Sequence, residues 1–243
     1  MARRGNELPR FFTFGDRVPA ALGLILSLML AASVWGWLDR ELQVLAALAP
    51  VMIYRGQVWR LVSWPFVQED PLTLLFGGFT LFWLGQQLAF AWSERRLLLR
   101  FFGYAAFASV ATTLLALVWA PASVGHIGVW PVANALLVSW AMLYPERQLN
   151  IYGVLPISGR TAALLVTGGT VLFGLAGGAR GLGAYTPHLF ALAIAWALSR
   201  GRVGTPWRDA KQWWSERELR RRARHLKVVR KDGRDDDRPR WMN

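Results

Sequence analysis

Cysteine is absent from the chain, and histidine occurs only at His126, His188 and His225. The first absence excludes disulfides and thiolate-bound metal, and three scattered imidazoles make no metal-ligand pattern, so neither a metal nor another cofactor is expected. Charge is scarce as well: 18% of the 243 residues are charged against 54% hydrophobic, and most charges lie at the ends or between long apolar runs. That distribution belongs to a multispanning membrane protein in contact with the lipid bilayer rather than to a soluble globule.

A span needs roughly 20 predominantly apolar residues. Six runs qualify, at about 19 to 38, 72 to 92, 97 to 119, 126 to 144, 161 to 176 and 183 to 199. The expected fold is an all-α, polytopic bundle of six transmembrane helices over 19–199, preceded by a basic segment over 1–18 and followed by a basic tail over 200–243. The first run is too long for a signal-peptide core and lacks a small-x-small site after Trp35-Gly36-Trp37, so it reads as a retained helix. Placing both termini in the cytoplasm puts 24 of the 28 basic residues inside, leaving Arg40, Arg55, Arg60 and Arg180 outside. The expected location is a bacterial inner membrane.

The net charge of +13 raises the possibility of nucleic acid, but its placement points elsewhere. Residues 201–243 hold 14 Lys and Arg against 7 Asp and Glu. Trp207, Ala210 and Trp214 share a helical face with Trp213 beside them, and Arg220, Arg221, Arg222, Arg224 and Lys227 follow. Indoles suit the headgroup level and a basic cluster is drawn to anionic lipid, so the tail reads as a membrane-surface anchor. Docking of an acidic cytoplasmic partner or ribosomal RNA is the lesser alternative, and nucleic acid is not expected to be the main partner. Beyond Lys231 the mixed Asp and Arg sequence reads as disordered.

Between the first two runs, Asp39 to Pro71 is too polar to cross and too apolar to float free. It is expected to lie in the interface as short helices, with Trp59 and Trp64 at headgroup level and Pro50 and Pro65 as punctuation. Its stretch Gly56-Gln57-Val58-Trp59-Arg60-Leu61-Val62-Ser63-Trp64-Pro65-Phe66 resembles the first-loop Trp-Arg signature of the rhomboid superfamily. Leu74 to Gly85, containing Gly77 and closing on Gly85, is similar to the family's second helix. Pro187-His188-Leu189-Phe190-Ala191 resembles its sixth-helix histidine followed by a small residue. The connection from Tyr144 to Pro156 looks like that of Derlins, the inactive members of the superfamily, although active bacterial rhomboids carry similar segments.

The resemblance implies a catalytic frame, and the frame is incomplete. Where the family carries Gly-x-Ser-Gly, this chain reads Gly125-His126-Ile127-Gly128; shifting the register to Gly128-Val129-Trp130-Pro131 exchanges isoleucine for tryptophan. Neither Ile127 nor Trp130 can attack a carbonyl. The family's oxyanion-binding His-x-x-x-Asn falls on Thr73 and Gly77, leaving His188 alone of the polar set. Ser123, in the outer loop, is the one candidate substitute nucleophile; Ser139, ~18 Å deeper along the helix, reads as bonded to a backbone carbonyl. His188 is either a relic of the catalytic dyad, retained for binding, or a residue capping the helix or facing interfacial water. His126 could approach it, without making a metal site.

Small residues in the last two runs, among them Gly168, Gly169, Gly174, Ala191 and Ala195, permit close helix packing. Gly177 to Gly183 reads as a flexible connector, leaving a short sixth span that would thin the surrounding lipid. Three functions follow. The first is a non-catalytic pseudoprotease that binds transmembrane segments of clients in membrane-protein quality control, trafficking or assembly. The second is an intramembrane serine protease with an unusual nucleophile. The third is a transporter or channel subunit, disfavoured because the spans carry almost no interior ionisable groups.

Overall fold

The computed structural model describes residues 12–14, 16–151 and 155–199, with side chains over 18–148 and 157–199. The anchor residues Trp207, Trp213, Trp214, Arg220, Arg221 and Arg222, and the tail's expected disorder, lie outside the described residues. A hairpin of β1 (Phe12–Phe14) and β2 (Asp16–Val18) precedes α1 (Ala20–Leu38). The first loop holds α2 (Arg40–Ala46), α3 (Pro50–Tyr54), α4 (Arg60–Ser63) and a 3-10 turn at Trp64–Phe66. Then come α5 (Pro71–Trp92), α6 (Glu94–Ala116), a 3-10 turn at Ala120–Ser123 and α7 (Trp130–Leu143). An antiparallel hairpin, β3 (Gln148–Ile151) with β4 (Leu155–Ser158), leads to α8 (Gly159–Ala176) and α9 (Gly178–Ser199).

The fold is an all-α polytopic membrane bundle. Helices α1, α5, α6, α8 and α9 are each long and apolar enough to cross a bilayer. The fourth expected span is shorter than its apolar run, because the chain turns at Gly128, φ 108°, and α7, with Pro131 in its first turn, keeps only 14 residues. At 1.5 Å per residue that is about 21 Å, against a hydrocarbon core of about 30 Å. Nine of its residues are buried, and α5, α6, α8 and α9 all pack against it. The shortest apolar helix is thus the centre of the bundle.

The sixth span departs from expectation in the opposite direction. Gly177 to Gly183 is no flexible linker: α9 begins at Gly178 and runs 22 residues, through Pro187. Glycine costs a helix about 1 kcal/mol relative to alanine, but here close approach to neighbours outweighs propensity. A Cβ on Gly183 would fall on the carbonyl oxygen of Pro121, and one on Gly177 would lie 2.6 Å from the Cα of Gly181. Gly183→Ala is accordingly expected to destabilise the protein by about 1–3 kcal/mol, since rigid backbone must move to admit the methyl group. Thermal unfolding of the detergent-solubilised protein measures this, with Gly168→Ala, where a Cβ meets nothing within 4 Å, as the neutral control.

Local chemistry sets the other boundaries. Asp70 caps α5, its carboxylate accepting from the Thr73 N–H at 2.9 Å and the Thr73 hydroxyl at 2.6 Å, with Pro71 in the first turn. These bonds hold the Asp70 carboxyl below its usual pKa, the Thr73 hydroxyl contributing most. Only Ser93, at φ 106°, separates α5 from α6. The next residue, Glu94, accepts the Ala21 N–H at 3.0 Å and so satisfies an otherwise free amide at the start of α1. Some buried hydroxyls bond back along their own helices, Ser109 to the Ala105 carbonyl and Thr170 to that of Val166, whereas those of Thr112, Thr113 and Ser199 have no partner among the described residues.

Candidate functional site

The Trp-Arg signature is a fastening. Arg60 is 4% exposed; its Nε donates to Gln57 Oε1 at 2.7 Å and its Nη1 to the carbonyls of Val44 and, at 2.7 Å, Ala47. Ser63 adds a bond to the Ala46 carbonyl at 2.8 Å, so α4 closes the orphan carbonyls at the end of α2. Trp59 lies half exposed, with its indole N–H on the Leu45 carbonyl. Trp64 departs from the expected headgroup position: it is 0% exposed and donates to Ser109 Oγ of α6 at 2.7 Å. Its indole needs a partner when buried, and Ser109 supplies one.

From this loop the chain reaches the start of α7. Leu48 and His126 exchange backbone hydrogen bonds at 2.8 and 2.9 Å, an isolated antiparallel bridge. The Gly128 N–H donates to the Trp64 carbonyl at 3.0 Å, and the Val129 N–H to Gln68 Oε1 at 3.2 Å. Gly128 adopts φ +108°, which a residue with a side chain disfavours, and this turn aims both amides at the loop. Gln68 is fully buried and makes four bonds: its side chain also donates to the Pro65 carbonyl, while its backbone meets Ser33 Oγ and the Trp37 indole. Sequence reasoning passed over Gln68. Its only signal was a polar side chain following Trp64-Pro65-Phe66-Val67.

The two histidines do meet. His126 and His188 rings lie 5.1 Å apart, edge to face; Trp64 packs against His126 at 5.4 Å, and Tyr185 against His188 at 5.0 Å. His188 is the eleventh residue of α9, so it neither caps the helix nor marks its end. His126 Nε2 and His188 Nδ1 are enclosed without a hydrogen-bond partner. Burial lowers the pKa of His126, which lies in the loop before α7, to about 4, so its imidazole is neutral at physiological pH. Among the described residues no group of three or more His, Asp or Glu gathers as metal ligands.

The remaining positions of the catalytic frame serve packing. Ser123 is exposed and donates to the Ala120 carbonyl at 2.6 Å, within its own 3-10 turn, rather than to either histidine. Thr73 is engaged with Asp70, and Gly77 makes room for Val129, whose Cγ1 would be 2.7 Å from a Cβ there. Gly85 similarly receives Leu22 of α1 at 2.5 Å. Ile127 and Trp130 are half-buried beside the turn, Gly125 is exposed, and Ala191 and Ala195 lie buried in α9. Ser139 bonds to the Ala135 carbonyl, as expected, and additionally to the Tyr104 hydroxyl at 2.7 Å, which Arg100 reaches at 3.1 Å.

The two imidazoles lie side by side, and among the described residues no hydroxyl is hydrogen-bonded to either of them. Residues 20–200 match the model of a family described as eukaryotic integral membrane protein (DUF1751), within the rhomboid-like superfamily. No curated protein matches the chain. The eukaryotic description overturns the expected bacterial inner membrane. Hydropathy and Lys/Arg bias report that a chain crosses a bilayer without marking which organism's bilayer it is.

Proposed function

We propose that this chain, which belongs to the DUF1751 family of eukaryotic integral membrane proteins, is a non-catalytic rhomboid-like protein that binds transmembrane segments of client proteins. Quality control, trafficking or assembly of membrane proteins is the setting. The carrying observation is the use made of the backbone where a nucleophile would stand. The N–H groups of Gly128 and Val129 are bonded to Trp64 and Gln68, and Ile127 and Trp130 flank them in the two possible registers. Catalysis needs donors aimed at a developing oxyanion and an activated nucleophile; these amides are already bonded and neither side chain is nucleophilic. His188, without a serine, is then a binding group.

Counting α7 as the fourth crossing gives six, with the short helix at the centre. A helix of about 21 Å leaves the ends of the bundle to loops, and polar groups there can receive a client segment of poor hydrophobicity. A photoreactive amino acid at position 127 in the full-length protein is expected to crosslink to single-span segments, with loss of the product when His188 is replaced by leucine. In parallel, a fluorophosphonate probe is expected to label the wild type no more than Ser123→Ala. Labelling abolished by Ser123→Ala would overturn the non-catalytic reading.

A further inference from the structure

The loop bearing Arg60 also forms one wall of a cleft that the preceding reading does not use. It measures about 570 Å³ and lies where α1 gives way to α2, lined by the apolar side chains of Trp35, Leu42, Val44 and Leu45. Asp39, Arg40, Glu41 and Arg60 also line it. The 19 residues of α1 span about 28 Å, close to the hydrocarbon thickness of a bilayer, so its end at Leu38 falls at the headgroup boundary. Leu38 and Trp35 are 85% and 64% exposed, which continues an apolar surface from the cleft down the lipid-facing side of α1.

The charges are of both signs; among the described residues Arg40 and Glu41 are uncommitted, whereas Arg60 is buried and keeps only Nη2 unbonded. Asp39 uses one carboxylate oxygen to accept the Glu41 N–H at 2.9 Å, leaving the other free. Arg40 and Glu41 form no ion pair among the described residues, and Arg60 commits Nε and Nη1 but not Nη2. Two guanidinium groups and two carboxylates over apolar walls match an amphiphile that carries a phosphate and an ammonium at its head and hydrocarbon below. A purely anionic headgroup would satisfy the guanidinium groups but leave Asp39 and Glu41 without a cation. A soluble zwitterion would leave the walls unused.

The geometry points to a binding site for one zwitterionic glycerophospholipid, its phosphate on Arg40 and Arg60, its ammonium on Asp39 and Glu41, and its chains along Trp35 and Leu38. The site is independent of client binding. The full-length protein, stripped of lipid in detergent, is titrated with dioleoylphosphatidylcholine, dioleoylphosphatidylglycerol or glycerophosphocholine and read by native mass spectrometry. One phosphatidylcholine is expected to bind at least about tenfold more tightly than phosphatidylglycerol, with glycerophosphocholine weaker still. Arg40→Gln and Glu41→Gln, both exposed and outside the fastening bonds of Arg60, are each expected to lose about tenfold in phosphatidylcholine affinity at unchanged melting temperature. Equal binding of the two lipids, binding of glycerophosphocholine as tight as that of the whole lipid, or full retention by both variants overturns the assignment.

Discussion

Trp64→Ala is expected to destabilise the protein by about 3–5 kcal/mol, the range for truncating a fully buried tryptophan. The indole is 0% exposed, its N–H bonds to Ser109 Oγ at 2.7 Å, and its ring packs against His126 at 5.4 Å. Alanine leaves a cavity between the first loop, α6 and the turn before α7, where the loop's own backbone is tied by the Gly128 N–H. Ser109 loses a donor but keeps the carbonyls of Leu61 and Ala105 as acceptors, so the expected cost is mainly packing. Trp59→Ala is the control: that ring is half exposed and its bond to the Leu45 carbonyl is 3.2 Å, so its loss costs about 1 kcal/mol or less. At roughly 2–4 °C per kcal/mol for a chain of this size, Trp64→Ala lowers the melting temperature on the order of 10 °C. Equal shifts for the two variants, measured in the same detergent, would remove Trp64 from the role of anchor.

The contrast between those tryptophans shows where sequence reading reaches its limit. Both stand in an interfacial loop, five residues apart, and composition assigns both to the headgroup level. What separates them is the partner, Ser109 on a helix 45 residues downstream, and local pattern carries no information about such a pairing. Long apolar runs behave differently. The first, second, third and fifth spans were legible to within three residues because a span needs only length and hydropathy. The fourth and sixth were misjudged where glycine governs the boundary. Gly128 at φ +108° delays α7, while Gly177, closing α8, and Gly183, inside α9, each face backbone that admits no Cβ. At the candidate site the sequence shows directly only that Ile127 and Trp130 stand where the resemblance places a serine. Its contents were not: Gln68 has no motif, and His126 and His188 share a site only because the Leu48 bridge and α9 bring distant segments together.

Acid should loosen this same joint through His126. Burial lowers its pKa from the ordinary 6.5 to about 4, so the folded protein holds the imidazole neutral over a range in which the unfolded chain protonates it. The unfolded state then binds more protons, and stability rises with pH between those two values. The contribution is complete above about pH 6.5, falls as pH drops toward 4, and is lost below it. The shift is worth on the order of 3 kcal/mol in all, about 2 kcal/mol of it by pH 5. The nearest rings are those of Trp64 and His188, with Tyr185 behind, and among the described residues no carboxylate bonds to His126 to stabilise the cation. Protonation is therefore expected to break the Leu48–His126 bridge before the helices separate, because the bridge holds a loop whereas the helices are secured by packing. Melting temperatures of wild type and His126→Gln, taken between pH 7 and pH 5, test the first part. The wild type should fall steeply and the variant much less, the interval being chosen so that most carboxylates remain ionised. Hydrogen exchange of the Leu48 amide tests the second: protection should decline from pH 7 to pH 5, after correction for intrinsic rates, while amides in the middle of α7 keep theirs. Parallel melting profiles for the two proteins would mean that His126 is not the group whose protonation weakens the fold.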